Sequence, residues 1–252
     1  MWQHFRGAGH GDGVNESSAV AIYVDGTNVY VAGDESPTGG DPVAALWISA
    51  TTKVNLGTAG VGSHAIAIYN SNNVLYIAGD ENGNPVYWTY NIASKAVTEY
   101  ALSSDAGAAA DIFVSGSDVY TTGNKGSDDA VYWKNTTVNA LSSAPEKAQA
   151  AGITLNGADI YVAGASSLTG TTTDIKPVYW KNSVRTVLDT AKASEIGYAI
   201  RAVANDGDVY ISGFYADSTS PTYAIAAYWK NGTRVDLTDN TGKAEAFGIF
   251  IK

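Results

Sequence analysis

The stretch ITLNGADIYVAG, Ile153–Gly164, followed after a polar loop by PVYWK, Pro177–Lys181, decides the fold of this chain. Two apolar segments separated by an Asn-Gly turn predict a β-hairpin, because Asn and Gly accept the backbone angles that tight hairpin turns require. The aromatic segment that follows predicts a third strand beside the hairpin. Versions of this unit recur along the chain.

The unit returns with a period of roughly 45 residues. The glycine that closes its second strand falls at Gly33, Gly79, Gly123, Gly164 and Gly213. The tryptophan of its third strand falls at Trp47, Trp88, Trp133, Trp180 and Trp229. A fourth short segment completes four strands per period, which we name a to d. Four short strands in a period of this length predict an all-β fold, a β-propeller, with the tryptophans packed between blades.

The two ends of the chain predict how the propeller closes. The segment AFGIFIK, Ala246–Lys252, has the pattern of a strand a without a strand b after it, and Trp2 stands where a strand c belongs. We interpret residues 246–252 and 1–18 as one split blade, which predicts six blades and removes exposed strand edges. Because the segment after Trp2 is rich in glycine and poor in β-branched residues, five blades is the alternative.

The repeats also predict the domain organisation. All residues, 1–252, are expected to form a single propeller domain. The repeats cover about 19–64, 65–108, 109–149, 150–198 and 199–245.

Composition excludes several classes of function. The formal charge is −10 with 15 scattered basic residues, which argues against nucleic acid, because a polyanion is bound by clustered Lys and Arg. The absence of cysteine excludes disulfides and thiolate chemistry. No apolar run is long enough to span a membrane, and the start of the chain lacks the apolar core of a signal peptide. Three scattered histidines, His4, His10 and His64, form no catalytic triad or metal-binding pattern.

The repeated strings resemble known propeller repeats. The hairpin and aromatic strand resemble the kelch repeat, although kelch has a glycine pair where this chain has the single Gly164. The string YWKN looks like the blade repeats of uncharacterised secreted proteins and lipoproteins of Bacteroidota-type bacteria. It is complete at Tyr132–Asn135, Tyr179–Asn182 and Tyr228–Asn231. The resemblance implies a place outside the cell or in the bacterial cell envelope, and it implies no activity.

Carboxylates recur just after strand b, where the loops to strand c begin. Since strands alternate in direction, we expect these b–c loops to share one face with the links between blades, the d–a links. Acids on that face could bind Ca²⁺ or a cationic ligand or cleave a glycoside, or they could form a solvated surface. The ligand-binding residues that we predict are Asp34, Glu35, Asp80, Glu81, Asp128, Asp174, Tyr215, Asp217 and Tyr223. We predict no cofactor, with Ca²⁺ at these acids as the exception left open.

Three functions compete. We predict a non-enzymatic binding module that holds a protein or glycan ligand on the face of the b–c loops and the d–a links. One alternative is a glycan-active hydrolase or lyase that uses loop carboxylates, and another is an assembly unit joined to partners by strand addition. The absence of a single reactive constellation favours the binding module, so no catalytic residue is predicted, and fold alone decides none of the three.

Overall fold

The computed structural model describes residues 16–143, 145–167, 169–171, 174–188, 195–217, 224–239 and 241–251. Within them, twenty strands form five antiparallel sheets of four strands each. The all-β propeller fold is therefore confirmed. The described residues contain five blades, which is the alternative that the sequence left open beside six. Residues 1–15 of the predicted N-terminal part of a split blade, Trp2 among them, lie outside the described residues, whereas residues 16–18 belong to the first strand of the first sheet.

The first compact unit, Met1–Val114, contains two complete sheets. Each is a meander in which every strand pairs with the next along the chain. The strands of the first sheet are β1 (Glu16–Asp25), β2 (Asn28–Ser36), β3 (Val43–Ser49) and β4 (Thr52–Asn55). Those of the second sheet are β5 (Ser63–Ser71), β6 (Val74–Glu81), β7 (Asn84–Asn91) and β8 (Val97–Ala101), and β9 (Gly107–Ser115) follows.

The second compact unit, Ser115–Lys252, repeats the same meander. Its first strands are β10 (Asp118–Lys125), β11 (Asp129–Lys134) and β12 (Thr137–Ala140), in the sheet of order β12-β11-β10-β9. The fourth sheet has β13 (Lys147–Asn156), β14 (Asp159–Ser167), β15 (Lys176–Lys181) and β16 (Val184–Val187). The fifth has β17 (Glu195–Asn205), β18 (Asp208–Asp217), β19 (Ala224–Lys230) and β20 (Thr233–Asp236).

The glycine that closes strand b is required by the close approach of strand a. In the fourth sheet the register of β13 against β14 shifts between Ala150 and Gly152, beside Gly164. A Cβ on Gly164 would overlap the carbonyl oxygen of Gln149 and lie 2.9 Å from the ring of Trp180. The IYVAG motif therefore ends in the one residue that leaves room for the bulge.

Trp88 and Trp229 pack in clusters with residues of a neighbouring sheet, as predicted, whereas Trp47 is only partly buried. Trp88, Trp133, Trp180 and Trp229 are fully buried. In the first unit, Trp88 of the second sheet packs in one cluster with Ala32 of the first. Both faces of a blade are thus apolar, which fits the near-continuous apolar runs of strands b and c.

The YWKN string fastens the end of strand c to the start of strand b. Asn182 accepts a hydrogen bond from the backbone N–H of Ile160 at 2.9 Å and donates one to Asp159 at 2.7 Å. Lys181 forms an ion pair with Asp159 at 2.7 Å and lies over the Tyr161 ring. Equivalent contacts join Asp118 to Lys134 and Asn135, and Asp208 to Lys230 and Asn231. The string therefore has a structural role in these three blades.

The strand predicted at Ala246–Lys252 is not formed over residues 246–251, which are the part of it that the structure describes. Residues 241–251 contain no strand, and Phe247 and Phe250 are 52% and 83% exposed. After β20 the backbone N–H of Ala244 donates to Ala224 at 2.9 Å and that of Ala246 donates to Gly213 at 3.4 Å, and no strand is formed. An apolar pattern alone does not make a strand, because a strand also needs a sheet edge that satisfies its backbone. None of the residues described belongs to a helix with the length and apolar character needed to cross a bilayer.

Candidate functional site

One pair of side chains recurs on the tryptophan-bearing face of every sheet. Its first member is the strand-b residue two places after the repeated glycine. Its second member is the strand-d residue that pairs with the tryptophan of strand c. We call these two residues the b/d pair. The five b/d pairs are Glu35 and Lys53, Glu81 and Glu99, Lys125 and Val138, Ser166 and Arg185, and Tyr215 and Arg234.

Three of the b/d pairs join groups of complementary chemistry. Lys53 forms an ion pair with Glu35 in the first sheet. Arg185 donates a hydrogen bond to Ser166 at 3.0 Å in the fourth. Arg234 lies over the ring of Tyr215, 4.3 Å from its centroid, in the fifth.

The second sheet departs from this pattern because both members of its b/d pair are acids. The carboxyl groups of Glu81 and Glu99 are hydrogen bonded to each other. The indole Nε1 of Trp88 donates to Oε2 of Glu99 at 3.2 Å. The backbone N–H of Thr58, in the link between the first two sheets, donates to Oε1 of Glu81 at 2.5 Å, and its side chain bonds the same carboxyl. The contact between two carboxyl groups requires a shared proton.

The electrostatics place that proton on Glu99. The hydrogen bond to Glu81, burial and the negative charge of Glu81 together raise the pKa of Glu99 to about 7, against the lowering effect of Trp88. Burial would raise the pKa of Glu81, but hydrogen bonds from Glu99 and Thr58 outweigh it and hold that pKa below its usual range. Below about pH 7, and above the lowered pKa of Glu81, the pair therefore consists of one carboxylic acid and one carboxylate.

The pair faces a cavity of about 590 Å³ that opens to solvent. Its other lining residues are Thr58, Val61, Asn82, Asn84, Val86, Ala101, Leu102, Ser103 and Ser104. The corresponding hollow of the fourth sheet, lined by Ser166 and Arg185, has a volume of about 100 Å³. The second sheet thus combines an acid with a pKa near neutrality and room for a ligand, which is what general acid catalysis requires.

Of the nine residues predicted from the sequence, Glu81 lies at this site. Glu35 is held by Lys53 in the first sheet. Asp80 points to the opposite face of β6 from Glu81, where its Oδ2 lies 3.2 Å from Nδ1 of His64. That hydrogen bond chiefly, with the charges of Asp80 and Asp34, raises the pKa of His64 although burial lowers it.

The predicted residues of the second unit have separate partners. Asp128 forms an ion pair with Lys147 at 3.3 Å. Asp174 accepts hydrogen bonds from Ser167, Thr169 and Thr171, which lower its pKa to about 2. Asp217 stands opposite Glu195 in the ladder of β17 and β18.

The two predicted tyrosines do not form an exposed aromatic surface in the described residues. Tyr215 is 3% exposed, because β18 continues to Asp217 and turns this side chain into the blade against Arg234. Its assignment to a loop is therefore corrected. Tyr223 lies outside the described residues. In the part of the chain that the structure describes, no three His, Asp or Glu side chains come together to hold a metal ion.

Glu99 is not among the predicted residues, because the acidic pattern lies in the loops after strand b and Glu99 lies in strand d. The signal is nonetheless present. If the strand-d residues opposite each tryptophan are aligned, Glu99 is the one acid, beside Lys53, Val138, Arg185 and Arg234.

Of the comparisons with known proteins, only that with solved structures gives matches. No family model matches the chain, and no curated protein matches it. One of the solved structures that it resembles is a novel α-L-arabinofuranosidase from Clostridium thermocellum, at 13% identity and a TM-score of 0.44. The match covers 89% of this chain and 95% of that one. At this level the likeness transfers no activity.

The prediction of a non-enzymatic binding module is contradicted. The second sheet contains a carboxyl pair with a shared proton, an arrangement with acid–base capability that a search of the loops alone did not find.

Proposed function

We propose that this chain is a glycan-active hydrolase whose general acid is Glu99. The observation that supports the proposal is the hydrogen-bonded pair of Glu81 and Glu99 in an open cavity. A general acid works best when its pKa lies near the working pH, and a neighbouring carboxylate is an effective way to raise the pKa of a glutamate to that range. In the first, fourth and fifth sheets the two residues of the b/d pair form a stabilising contact with each other.

The lining of the cavity supports a glycan as the substrate class. Asn82, Asn84, Ser103 and Ser104 offer amide and hydroxyl groups that both donate and accept hydrogen bonds, as sugar hydroxyls do. Val61 adds an apolar surface of the kind on which the C–H face of a sugar ring packs. The likeness to the arabinofuranosidase is too weak to add support.

The geometry limits the roles of the two acids. In glycosidases the acid and its partner carboxylate flank the scissile bond at roughly 5–9.5 Å, whereas Glu81 and Glu99 are in contact. Glu81 therefore serves to raise the pKa of the acid. Glu99 gives its proton to the glycosidic oxygen as the bond to the anomeric carbon breaks. A water molecule then adds to that carbon, and its proton returns to the carboxylate of Glu99.

The test is hydrolysis of a panel of polysaccharides and aryl glycosides between pH 5 and 8, measured as the release of reducing sugar. We expect Glu99→Gln to lower kcat by about 100-fold or more, the usual contribution of a general acid. In Glu81→Gln the pH above which activity is lost should be lower than in the wild type, because the neutral amide no longer keeps Glu99 protonated. Glu35→Gln is the matched control in the first sheet and should leave activity unchanged.

Two results would overturn the proposal. One is the absence of hydrolysis by the folded wild-type chain across the panel. The other is hydrolysis that survives Glu99→Gln unchanged. The resemblance to bacterial propellers with YWKN strings, and a place outside the cell or in the envelope where glycans are met, remain part of the proposal.

A further inference from the structure

The carboxyl pair is held by two donors from outside it. Trp88 donates its indole N–H to Oε2 of Glu99 at 3.2 Å. Thr58 donates its backbone N–H to Oε1 of Glu81 and bonds the same carboxyl through its side chain. Each acid therefore has its own external partner, and the two partners belong to different parts of the first unit.

The tryptophan contact of this blade is absent from the third and fourth sheets. Trp133 and Trp180 occupy the same buried position in their sheets, yet their indole nitrogens have no hydrogen-bond partner among the described residues. The strand-d residues opposite them are Val138 and Arg185, which offer no acceptor. The donor is thus repeated along the chain, whereas a carboxylate acceptor opposite it occurs at Glu99.

The chemistry of a carboxylic acid determines which oxygen of Glu99 carries the proton. One oxygen of a neutral carboxyl carries the proton, and the other accepts hydrogen bonds. The indole of Trp88 occupies Oε2 of Glu99, so Oε1 is left for the proton. Glu81 receives two donors from Thr58, and hydrogen bonds from such donors favour the charged form of the group that accepts them.

We propose that Thr58 and Trp88 are positioning residues for the shared proton: Thr58 keeps Glu81 charged, so that the proton stays on Glu99, and Trp88 occupies Oε2, so that the proton lies on Oε1. The use of that proton in catalysis rests on the proposed function, whereas its position does not. Among the described residues, Glu81 and Glu99 are the titratable side chains that line the cavity. The polar neighbours that face them from the adjoining strands and loops are Asn82, Asn84, Ser103 and Ser104, which carry no charge.

The experiment is a ¹³C carboxyl NMR titration of the full chain with labelled glutamate, between pH 3 and 9, without substrate. The resonances of the pair are assigned by their loss in Glu99→Gln and Glu81→Gln. In the wild type we expect the Glu81 resonance to move in the lower step and the Glu99 resonance in the upper step, near pH 7.

Two variants test the two donors. Trp88→Phe should raise the midpoint of Glu99 by about half a pH unit, because the charged form of Glu99 loses its donor. Thr58→Val removes the hydroxyl donor and keeps the backbone N–H, so it should raise the midpoint of the lower step, in which Glu81 titrates. Trp180→Phe is the matched control, since it removes an equally buried indole without a partner and should leave the Glu99 midpoint unchanged.

An unchanged Glu99 midpoint in folded Trp88→Phe would overturn the role of Trp88, and an unchanged Glu81 midpoint in Thr58→Val would overturn that of Thr58. If circular dichroism shows that Trp88→Phe does not fold, Thr58→Val alone decides the inference. Because no substrate is present, the expected titration together with an inactive enzyme would refute the proposed function and leave this inference standing.

Discussion

Replacement of Glu99 by lysine tests the acid pair through stability. Glu99→Lys gives the second sheet the same b/d pair as the first, where Glu35 and Lys53 form an ion pair. Above pH 7 the wild-type pair carries two negative charges in contact, and the variant replaces that repulsion by attraction. Below pH 5 the wild type keeps its hydrogen bond through the shared proton, so the variant gains little there.

The magnitude follows from the charges and their exposure. Two unit charges about 4 Å apart interact by about 1 kcal/mol in water and about 4 kcal/mol near a protein surface. Since Glu99 is an exposed side chain, solvent screening keeps the repulsion near the lower value. The new ion pair adds up to about 1 kcal/mol. We therefore expect Glu99→Lys to be more stable by about 1–2 kcal/mol at pH 8.

The sign of the pH dependence is fixed by the direction of the pKa shift. The pKa of Glu99 is raised to about 7 in the folded chain, so its contribution to stability is complete below its ordinary pKa and is lost as the pH rises through 7. Wild-type stability should fall over that window, and the stability of Glu99→Lys should not. The assay is thermal unfolding at pH 5, 6, 7 and 8.

The reciprocal control is Lys53→Glu, which builds an acid pair in the first sheet. It should lower stability at pH 8 more than at pH 5. The reasoning is refuted if Glu99→Lys changes the melting temperature equally at all four pH values, or if the wild-type melting temperature does not fall between pH 5 and 8.

Three further outcomes are expected. Gly164→Ala should cost at least about 3 kcal/mol in urea unfolding, because its Cβ has no room beside strand a, whereas Gly242→Ala, which has open space, should change stability by less than about 0.5 kcal/mol; equal effects would contradict the close approach. Asn182→Ala should cost about 1–2 kcal/mol, since it leaves the backbone N–H of strand b without its acceptor, and a neutral result in the same assay would remove the structural role of the string. Asp80→Asn should lower the pKa of His64 in a proton NMR titration, and an unmoved titration would show that the two side chains do not interact in solution.

The repeated unit could be predicted because each of its signals is local. Alternating apolar residues, an Asx-Gly turn and a fixed tryptophan lie within one period, and the strands follow them closely. The prediction of the C-terminal strand was wrong for the opposite reason. The apolar residues Phe247, Ile249 and Phe250 give the right pattern, but pairing depends on a distant sheet edge that the pattern does not contain.

The candidate site was only half predictable. Glu81 stands out in the sequence because it follows a strand and sits beside another acid. Glu99 lies in an exposed outer strand among ordinary residues, and its meaning appears only when strands b and d are laid side by side. Tyr215 shows the converse error, since its neighbours resemble a loop while the ladder with β17 continues past it.

The b/d pair also has a consequence for how such a chain can change. Because the pair occurs once in each blade, the same backbone geometry is present at several equivalent positions. The copies in the first, fourth and fifth sheets are engaged in holding their own blades together, as the contacts of Lys53, Arg185 and Arg234 indicate. One copy can then acquire new chemistry without loss of the framework. Exchange of such pairs between blades would be a route to moving a reactive group around the same scaffold.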